Sequence, residues 1–282
     1  MKNKCYICNS ENIEKTDIKL RDSKDIEVFR CKNCSLEFLS DFSHIDEKFY
    51  QNGKMLPNPK KIFSWLERSK NDDKRRFEFL KNEIKNKKVL DFGCGTAGFI
   101  DLARKIATIK GIEVNKNLNE YFKEKEYEIY NSLDDLGEET FDYITLFHVL
   151  EHFKNPKNII NNLKKHLKKD GKLIIEIPNT NDALLSFYKC EKFSDFTHWK
   201  CHLFGFNEKN IKKMLAEFNF SKIKIKKVQR YSFLNHIYWI FKGKPNGANV
   251  LNRFDSVIIN YIYCTLLKLF SKTDTLVIIC KN

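Results

Sequence analysis

The chain has 282 residues, with 51 lysines and arginines against 37 aspartates and glutamates, a formal net charge of +14, and 42% hydrophobic residues. That length and apolar content exclude a disordered chain and a small disulfide-stapled scaffold, and they suit one main domain with a satellite. The positive balance admits a nucleic acid, an acidic membrane surface or a phosphorylated substrate as partner, but lysines recur along the whole chain, so the charge marks no single site.

Met1–Cys5 carries no apolar h-region. The apolar segment Val257–Phe270 is too short for a spanning helix and is interrupted by Asn260 and Lys268. With nine cysteines in such a chain, the expectation is a cytoplasmic protein with reduced thiols and no transmembrane segment.

Four of those cysteines are grouped. Cys5-Tyr6-Ile7-Cys8 and Cys31-Lys32-Asn33-Cys34 are two C-x-x-C knuckles with 22 residues between them. Four thiolates satisfy tetrahedral Zn2+ and leave no open position for chemistry, so Cys5, Cys8, Cys31 and Cys34 are candidate ligands of a structural zinc. The alternation of Ile26, Val28 and Phe29 before the second knuckle suits a small β-ribbon, giving a zinc ribbon over residues 1–45. The stretch Asp41–Pro59 reads as an irregular link punctuated by Pro57 and Pro59 and carrying Met55. Within a helical lead-in over 46–86, Ile62, Phe63, Leu66, Phe77, Leu80 and Ile84 recur at helical spacing, with a break expected near Asn71-Asp72-Asp73.

From Lys88 onward strands alternate with helices, which predicts a doubly wound α/β sheet. The predicted strands are Lys88–Phe92, Thr108–Glu113, a weak Glu128–Asn131, Phe141–Phe147 and Lys172–Ile177, which Pro178 stops. Helices are expected over Ala97–Ile106, Asn161–Lys169 and Asn207–Phe218. An alternating strand through Ile223, Ile225 and Val228 and a closing strand Thr275–Cys280 flank an aromatic-rich insertion over 231–271. The broad apolar face of Val257–Phe270 reads first as core, then as a homodimer surface, then as a shallow membrane contact.

The chain is organised around Val89-Leu90-Asp91-Phe92-Gly93-Cys94-Gly95-Thr96-Ala97-Gly98. An apolar strand ends in an acidic residue, and glycines at the spacing G-x-G-x-x-G let the backbone turn tightly against a ligand. By itself this is equally a Gly-rich βα turn. Glu113 narrows it, because a carboxylate at the end of the second strand can accept hydrogen bonds from the ribose hydroxyls of an adenosyl group.

With Gly111-Ile112-Glu113, Phe141-Asp142-Tyr143-Ile144, Val149-Leu150-Glu151-His152 and Gly171-Lys172-Leu173-Ile174-Ile175, the sequence resembles the class I S-adenosylmethionine-dependent methyltransferases. The resemblance implies a Rossmann-like seven-stranded sheet over 87–282. With the ribbon and His202-Leu203-Phe204-Gly205-Phe206, the chain resembles a zinc-ribbon subgroup associated with sugar and surface-polysaccharide modification. The longer sugar C-methyltransferases with such ribbons carry an additional C-terminal domain, which is not expected here.

The family pattern places the cofactor-binding residues Asp91, Gly93 and Gly95 around the methionine end of S-adenosylmethionine, with Gly98 at the start of the following helix, and Glu113 at the ribose. It puts Ser132 and Leu133 near adenine, and Phe147 and His148 next to the cofactor's amino group. Methyl transfer to a hydroxyl needs alignment and a base, a role that suits histidine. His152, His202 and His198 fall in segments expected at the carboxyl end of the sheet and are the candidate bases or substrate-orienting groups. Cys94, Cys190 and Cys201 read as small packed thiols.

The resulting expectation is a methyltransferase acting on a hydroxyl or phosphate-linked group of a small, phosphorylated carbohydrate. The competing readings are a zinc-ribbon RNA methyltransferase and a non-catalytic scaffold that only binds the cofactor. Mixed signs on the ribbon (Glu11, Glu14, Asp17, Asp22, Asp25, Glu27) argue against the first.

Overall fold

The computed structural model describes residues 4–51, 62–251, 253 and 255–282. Met55, Pro57 and Pro59 of the expected link lie outside the described residues.

The N-terminal part holds three short strands, β1 (Ile13–Lys15), β2 (Val28–Cys31) and β3 (Glu37–Leu39), followed by helix α1 (Glu47–Gln51). Helix α2 (Ile62–Ile84) leads into an alternating series: β4 (Lys88–Phe92), α3 (Gly98–Ala103), β5 (Thr108–Ile112), α4 (Asn119–Glu124), β6 (Ile129–Tyr130), β7 (Phe141–Phe147), α5 (Pro156–Lys165) and β8 (Leu167–Pro178). Then come α6 (Ala183–Ser186), α7 (Glu191–Thr197), β9 (Phe204–Gly205), α8 (Glu208–Leu215) and β10 (Lys222–Val228). The insertion folds as α9 (Phe233–Lys242), α10 (Gly247–Val250) and α11 (Val257–Leu269), and β11 (Thr275–Lys281) closes the chain.

Seven strands form one sheet in the order β10-β11-β8-β7-β4-β5-β6. The β8, β7, β4, β5 and β6 strands run parallel, while β11 enters antiparallel between β8 and β10, with Thr275 opposite Pro178 and Lys281 opposite Lys172. Val89, Leu90, Ile144, Leu146, Leu173 and Ile175 are buried, as a sheet covered on both faces requires. The expected α/β Rossmann-like fold is the observed one.

Three local differences have physical causes. The helix expected over Asn161–Lys169 begins earlier, at Pro156, where the Asn155 side chain accepts from Asn158 N at 3.1 Å and proline takes the first turn. Its expected apolar residue Leu167 is buried instead at the start of β8, opposite Phe141. The helical lead-in has no break at Asn71-Asp72-Asp73: α2 is continuous for 23 residues. Asp72 pairs with Arg75 at 3.0 Å and Asp73 with Arg76 at 3.1 Å, each one helical turn along, so these polar residues face partners rather than a turn. The α11 segment is not core, for Leu267 is its one buried residue.

The ribbon is joined to the main domain rather than appended to it. Its antiparallel sheet runs β1-β2-β3-β9, and the fourth strand comes from the far side of β8, with Glu37 opposite Gly205 and Phe38 opposite Phe204. Phe204 is 2% exposed and its ring meets Tyr6 at 5.1 Å and Phe42 at 5.3 Å. Buried ribbon residues such as Ile7 and Leu36 belong to the same hydrophobic cluster as Leu146, Ile160 and Leu163 under the large sheet. Phe204→Ala should therefore cost about 3–5 kcal/mol, read as a lower urea midpoint, and should expose the ribbon to limited proteolysis.

Candidate active site

The βα turns at the carboxyl ends of β4, β5, β7 and β8 open into one cavity of ≈ 750 Å³. This is the end of a parallel sheet at which ligands bind, because the strand ends splay and the turns expose backbone N–H groups. Asp91, Gly93, Gly95, Gly98, Glu113, Phe147, His148, His152, His198 and His202 all line it. Ser132 and Leu133 do not; Ser132 N instead donates to Asp135 at 2.9 Å, and Leu133 packs against the core.

The glycine turn is shaped by close approaches. Gly93 has φ +74°, and a Cβ there would meet Val149 at 2.6 Å. At Gly98 a Cβ would fall 2.3 Å from Asp73 Oδ2, so the glycine admits the α2 carboxylate to the start of α3. Glu113 is 5% exposed, accepting from Gly95 N and Asn115 N, both at 2.9 Å, one on each oxygen. Each oxygen keeps a lone pair for a ligand hydroxyl. Burial raises its pKa against these hydrogen bonds. Asp91, 3% exposed, accepts from Thr145 Oγ1 at 2.6 Å, and burial pushes its carboxyl up to about 7.

Beside this half lies a charged network that the sequence reading did not single out. Glu176, 1% exposed near the end of β8, receives Arg75 Nη2 at 2.8 and 2.9 Å and Arg76 Nη2 at 2.8 Å. Burial opposes its ionisation, yet His148 and the two arginines hold it well below the carboxylate range. Arg230 pairs with Asp274 at 3.1 Å and Asp72 at 3.3 Å, and the Arg76 guanidinium sits 4.7 Å from the Phe147 ring centre. His148 takes φ +56°, a costly conformation for a residue with a side chain, while its N–H donates to Glu176 O at 2.8 Å. Its Nε2 lies 3.2 Å from Glu176, and the two neighbouring glutamates raise its pKa although burial opposes this.

The other half of the cavity is walled by histidines, aromatic rings and the ribbon. The His152 and His202 rings are 5.0 Å apart, and Trp199 stands edge-on to both. His152 Nδ1 is 2.7 Å from Cys201 O. A carbonyl only accepts, so Nδ1 carries the proton and Nε2 keeps its lone pair. Burial lowers the pKa of both rings, His202 strongly, so both stay neutral near pH 7.

Glu151, His152 and His202 each place a ligand-type atom within 4.8 Å of the others. Glu151 is 1% exposed with neither oxygen hydrogen-bonded; its ion-pair neighbour is His148 Nδ1 at 3.4 Å. His198 stands apart from the pair, its Nδ1 donating to Ser194 O at 2.9 Å and its Nε2 3.5 Å from Glu37 of the ribbon. Leu20, Val28, Glu37, Phe38 and Leu39 complete the wall from the ribbon side. Of the three cysteines read as packed thiols, Cys201 is buried while Cys94 and Cys190 are partly buried.

The four ribbon cysteines converge away from this cavity. Cys5 Sγ–Cys34 Sγ and Cys8 Sγ–Cys31 Sγ are each 3.5 Å, and all four sulfurs lie within 4.8 Å of one another. Sulfurs about 3.8 Å apart are what tetrahedral zinc with 2.3 Å bonds demands, so the donor set fits that ion.

A family model described as a methyltransferase domain matches residues 63–225, more than half of the chain. The chain belongs to this methyltransferase family. An uncharacterized protein of Methanocaldococcus jannaschii is 29% identical over 57% of this chain and 77% of its own length. A ubiquinone biosynthesis O-methyltransferase of Coxiella burnetii is 29% identical over 38% of this chain, and the match spans half of that protein. Among solved structures, a SAM-dependent methyltransferase from Archaeoglobus fulgidus has the same fold, with a TM-score of 0.51 at 20% identity over 78% of this chain and 100% of that one. This methyltransferase uses S-adenosylmethionine.

If S-adenosylmethionine binds against Asp91, as the family pattern implies, the raised pKa of this carboxyl makes binding depend on pH. A positively charged ligand favours the ionised carboxylate, so protons compete with it below pH 7. Affinity for S-adenosylmethionine, measured by titration calorimetry, should fall by about tenfold from pH 8 to pH 6, and Asp91→Asn should weaken binding and flatten that slope.

Proposed function

We propose that this methyltransferase methylates a hydroxyl group of a small carbohydrate, with His152 as the base. The observation that carries the reading is the convergence of His152 and His202, two neutral imidazoles with ring centres 5.0 Å apart, in the cavity that also holds Asp91 and Glu113. Asp91, Gly93, Gly95 and Glu113 would hold the methionine and ribose parts of S-adenosylmethionine. When bound, that cofactor supplies a methyl group on a positively charged sulfur, which leaves readily.

The chain's own residues then have to orient the acceptor and remove its proton. His152 would take the acceptor hydroxyl's proton at Nε2, leaving an oxygen nucleophile for the methyl group the cofactor would supply. The imidazolium so formed is buried, and a buried charge needs a counter-charge. Glu151, with no hydrogen-bonded partner of its own, supplies it. Asn179, Thr180, Asp182 and Glu37 bring amide, hydroxyl and carboxylate groups to the same cavity, a set suited to a polyhydroxylated acceptor.

An RNA acceptor is less well served. On the ribbon, Lys4, Lys15 and Lys32 are paired with Glu11, Glu27 and Glu14 at 3.3, 2.5 and 3.0 Å, so their charge is already answered. The ribbon's role in this reading is to wall the acceptor side, with zinc on Cys5, Cys8, Cys31 and Cys34 fixing its shape. The hydrogen bond from Cys34 lowers the pKa of the Cys5 thiol against the effect of burial, which favours the thiolate that a zinc ion would bind.

A methyl-transfer assay against a panel of nucleotide sugars, with RNA as the competing class, tests the acceptor. Turnover of RNA alone would refute the carbohydrate reading. His152→Ala should lower kcat by at least about 100-fold while S-adenosylmethionine affinity stays within about twofold; an unchanged kcat removes His152 as base. Because burial lowers the His152 pKa below 6.5, kcat should stay flat from pH 8 to 6.5 and decline only below that. Elemental analysis should find one zinc per chain in the purified protein and none in a Cys5→Ser, Cys31→Ser variant; a metal-free native protein would overturn the zinc assignment.

A further inference from the structure

The insertion between β10 and β11 carries a surface that the fold does not use. On α11, Val257 is 84% exposed, Ile258 72%, Tyr261 74% and Leu269 71%, and Phe270 follows at 69%. At about 100° per residue these side chains, with Ile259, Ile262 and Leu266, cover well over half of the helix circumference. Phe241 at the end of α9 and Phe187 after α6 are likewise exposed, on segments that meet α11 through Phe233 and Tyr188, both against Tyr263.

The position of α11 is fixed: Tyr263 Oη lies 2.7 Å from His236 Nδ1 and 3.4 Å from Tyr188 Oη, and Phe233 N donates to Asn260 at 2.9 Å. The apolar surface is therefore a built feature of the fold. Soluble proteins rarely leave such a patch uncovered.

Charge decides what covers it. Between Tyr231 and Thr273 the sequence has five basic residues and one acidic one. Lys242, Lys244, Arg253 and Lys268 are exposed, while Asp255 is engaged by Asn260 at 2.9 Å. Lys189 stands exposed beside Phe187. A second copy of this +14 chain would bring two basic rims together, whereas an anionic surface meets them with opposite charge. A dimer seam also needs only a narrow stripe, and the exposed arc of α11 is much broader.

We propose that α11, with Phe241 and Phe187, seats in the headgroup layer of an anionic membrane. At 13 residues, α11 is about 20 Å long, too short to cross a bilayer, and no helix among the described residues is long and apolar enough to do so. It lies in the plane of the surface, with apolar side chains in the acyl boundary and the lysines at the phosphates. Helix α9, which ends near the exposed Phe241, also packs against the cavity wall: Phe193 lines the cavity, and its ring centre is 5.2 Å from that of buried Trp239.

Vesicle co-sedimentation of the full chain tests this without reference to turnover. The protein should pellet with vesicles of equal phosphatidylglycerol and phosphatidylcholine, less so with phosphatidylcholine alone, and less as salt rises. Ile258→Glu with Leu269→Glu should reduce the bound fraction by about tenfold or more, with thermal unfolding and S-adenosylmethionine affinity unchanged because both residues are exposed. Absence from the anionic vesicles, or binding indifferent to lipid charge, would overturn the proposal. So would a concentration-dependent dimer in sedimentation velocity that the same double substitution abolishes.

Discussion

Glu176 is the charge on which the site is hung. It sits near the carboxyl end of β8, almost without solvent, and an ionised carboxylate there is tolerable only with partners. Arg75 and Arg76 supply them from α2, one hundred positions earlier in the chain, and His148 supplies another from the end of β7. Satisfying that one group fixes the roll of α2 and holds His148 in a left-handed conformation. It also sets Arg76 over the Phe147 ring. Removing Glu176 would leave Arg75 and Arg76 with only Asp72 and Asp73, one helical turn away, as counter-charges.

The same arrangement separates the two halves of the cavity electrically. Around the glycine turn, buried Asp91 and Glu113 have raised pKa values and few cationic neighbours, surroundings that would favour a ligand bringing its own positive charge. In the other half, burial keeps His152 and His202 neutral, with His152 adding to the effect on His202, and Glu151 has His148 at 3.4 Å but no hydrogen bond. In the proposed reading, one half would receive a cation and the other would become one as a proton is removed.

Much of this is legible in the sequence where the signal is local. The turn from Gly93 to Gly98, Glu113 at the next strand end and the alternation of apolar strands identify the sheet, because strand burial and turn geometry depend on neighbouring residues. The charged network is not legible in that way, since Arg76 and Glu176 meet only through the fold. A hint exists in composition: arginine is scarce in this lysine-rich chain, and Arg75-Arg76 are adjacent. A planar donor that binds a carboxylate with two nitrogens is a costly choice to make at random. Nor does periodicity distinguish a buried α11 from an exposed one, because an apolar helix looks the same until its neighbours are known.

The pairing of β9 with β3 makes the ribbon and the segment around His202 one unit. Glu37 and Phe38 on one side and Phe204 and Gly205 on the other form adjoining strands, and His202 is two residues upstream of that join. Variation in the ribbon core must then be matched by variation between Trp199 and Phe206, and a ribbon transplanted between relatives would have to carry that distant segment with it. Two pieces of chain more than 150 residues apart are thus inherited, or engineered, as a single part.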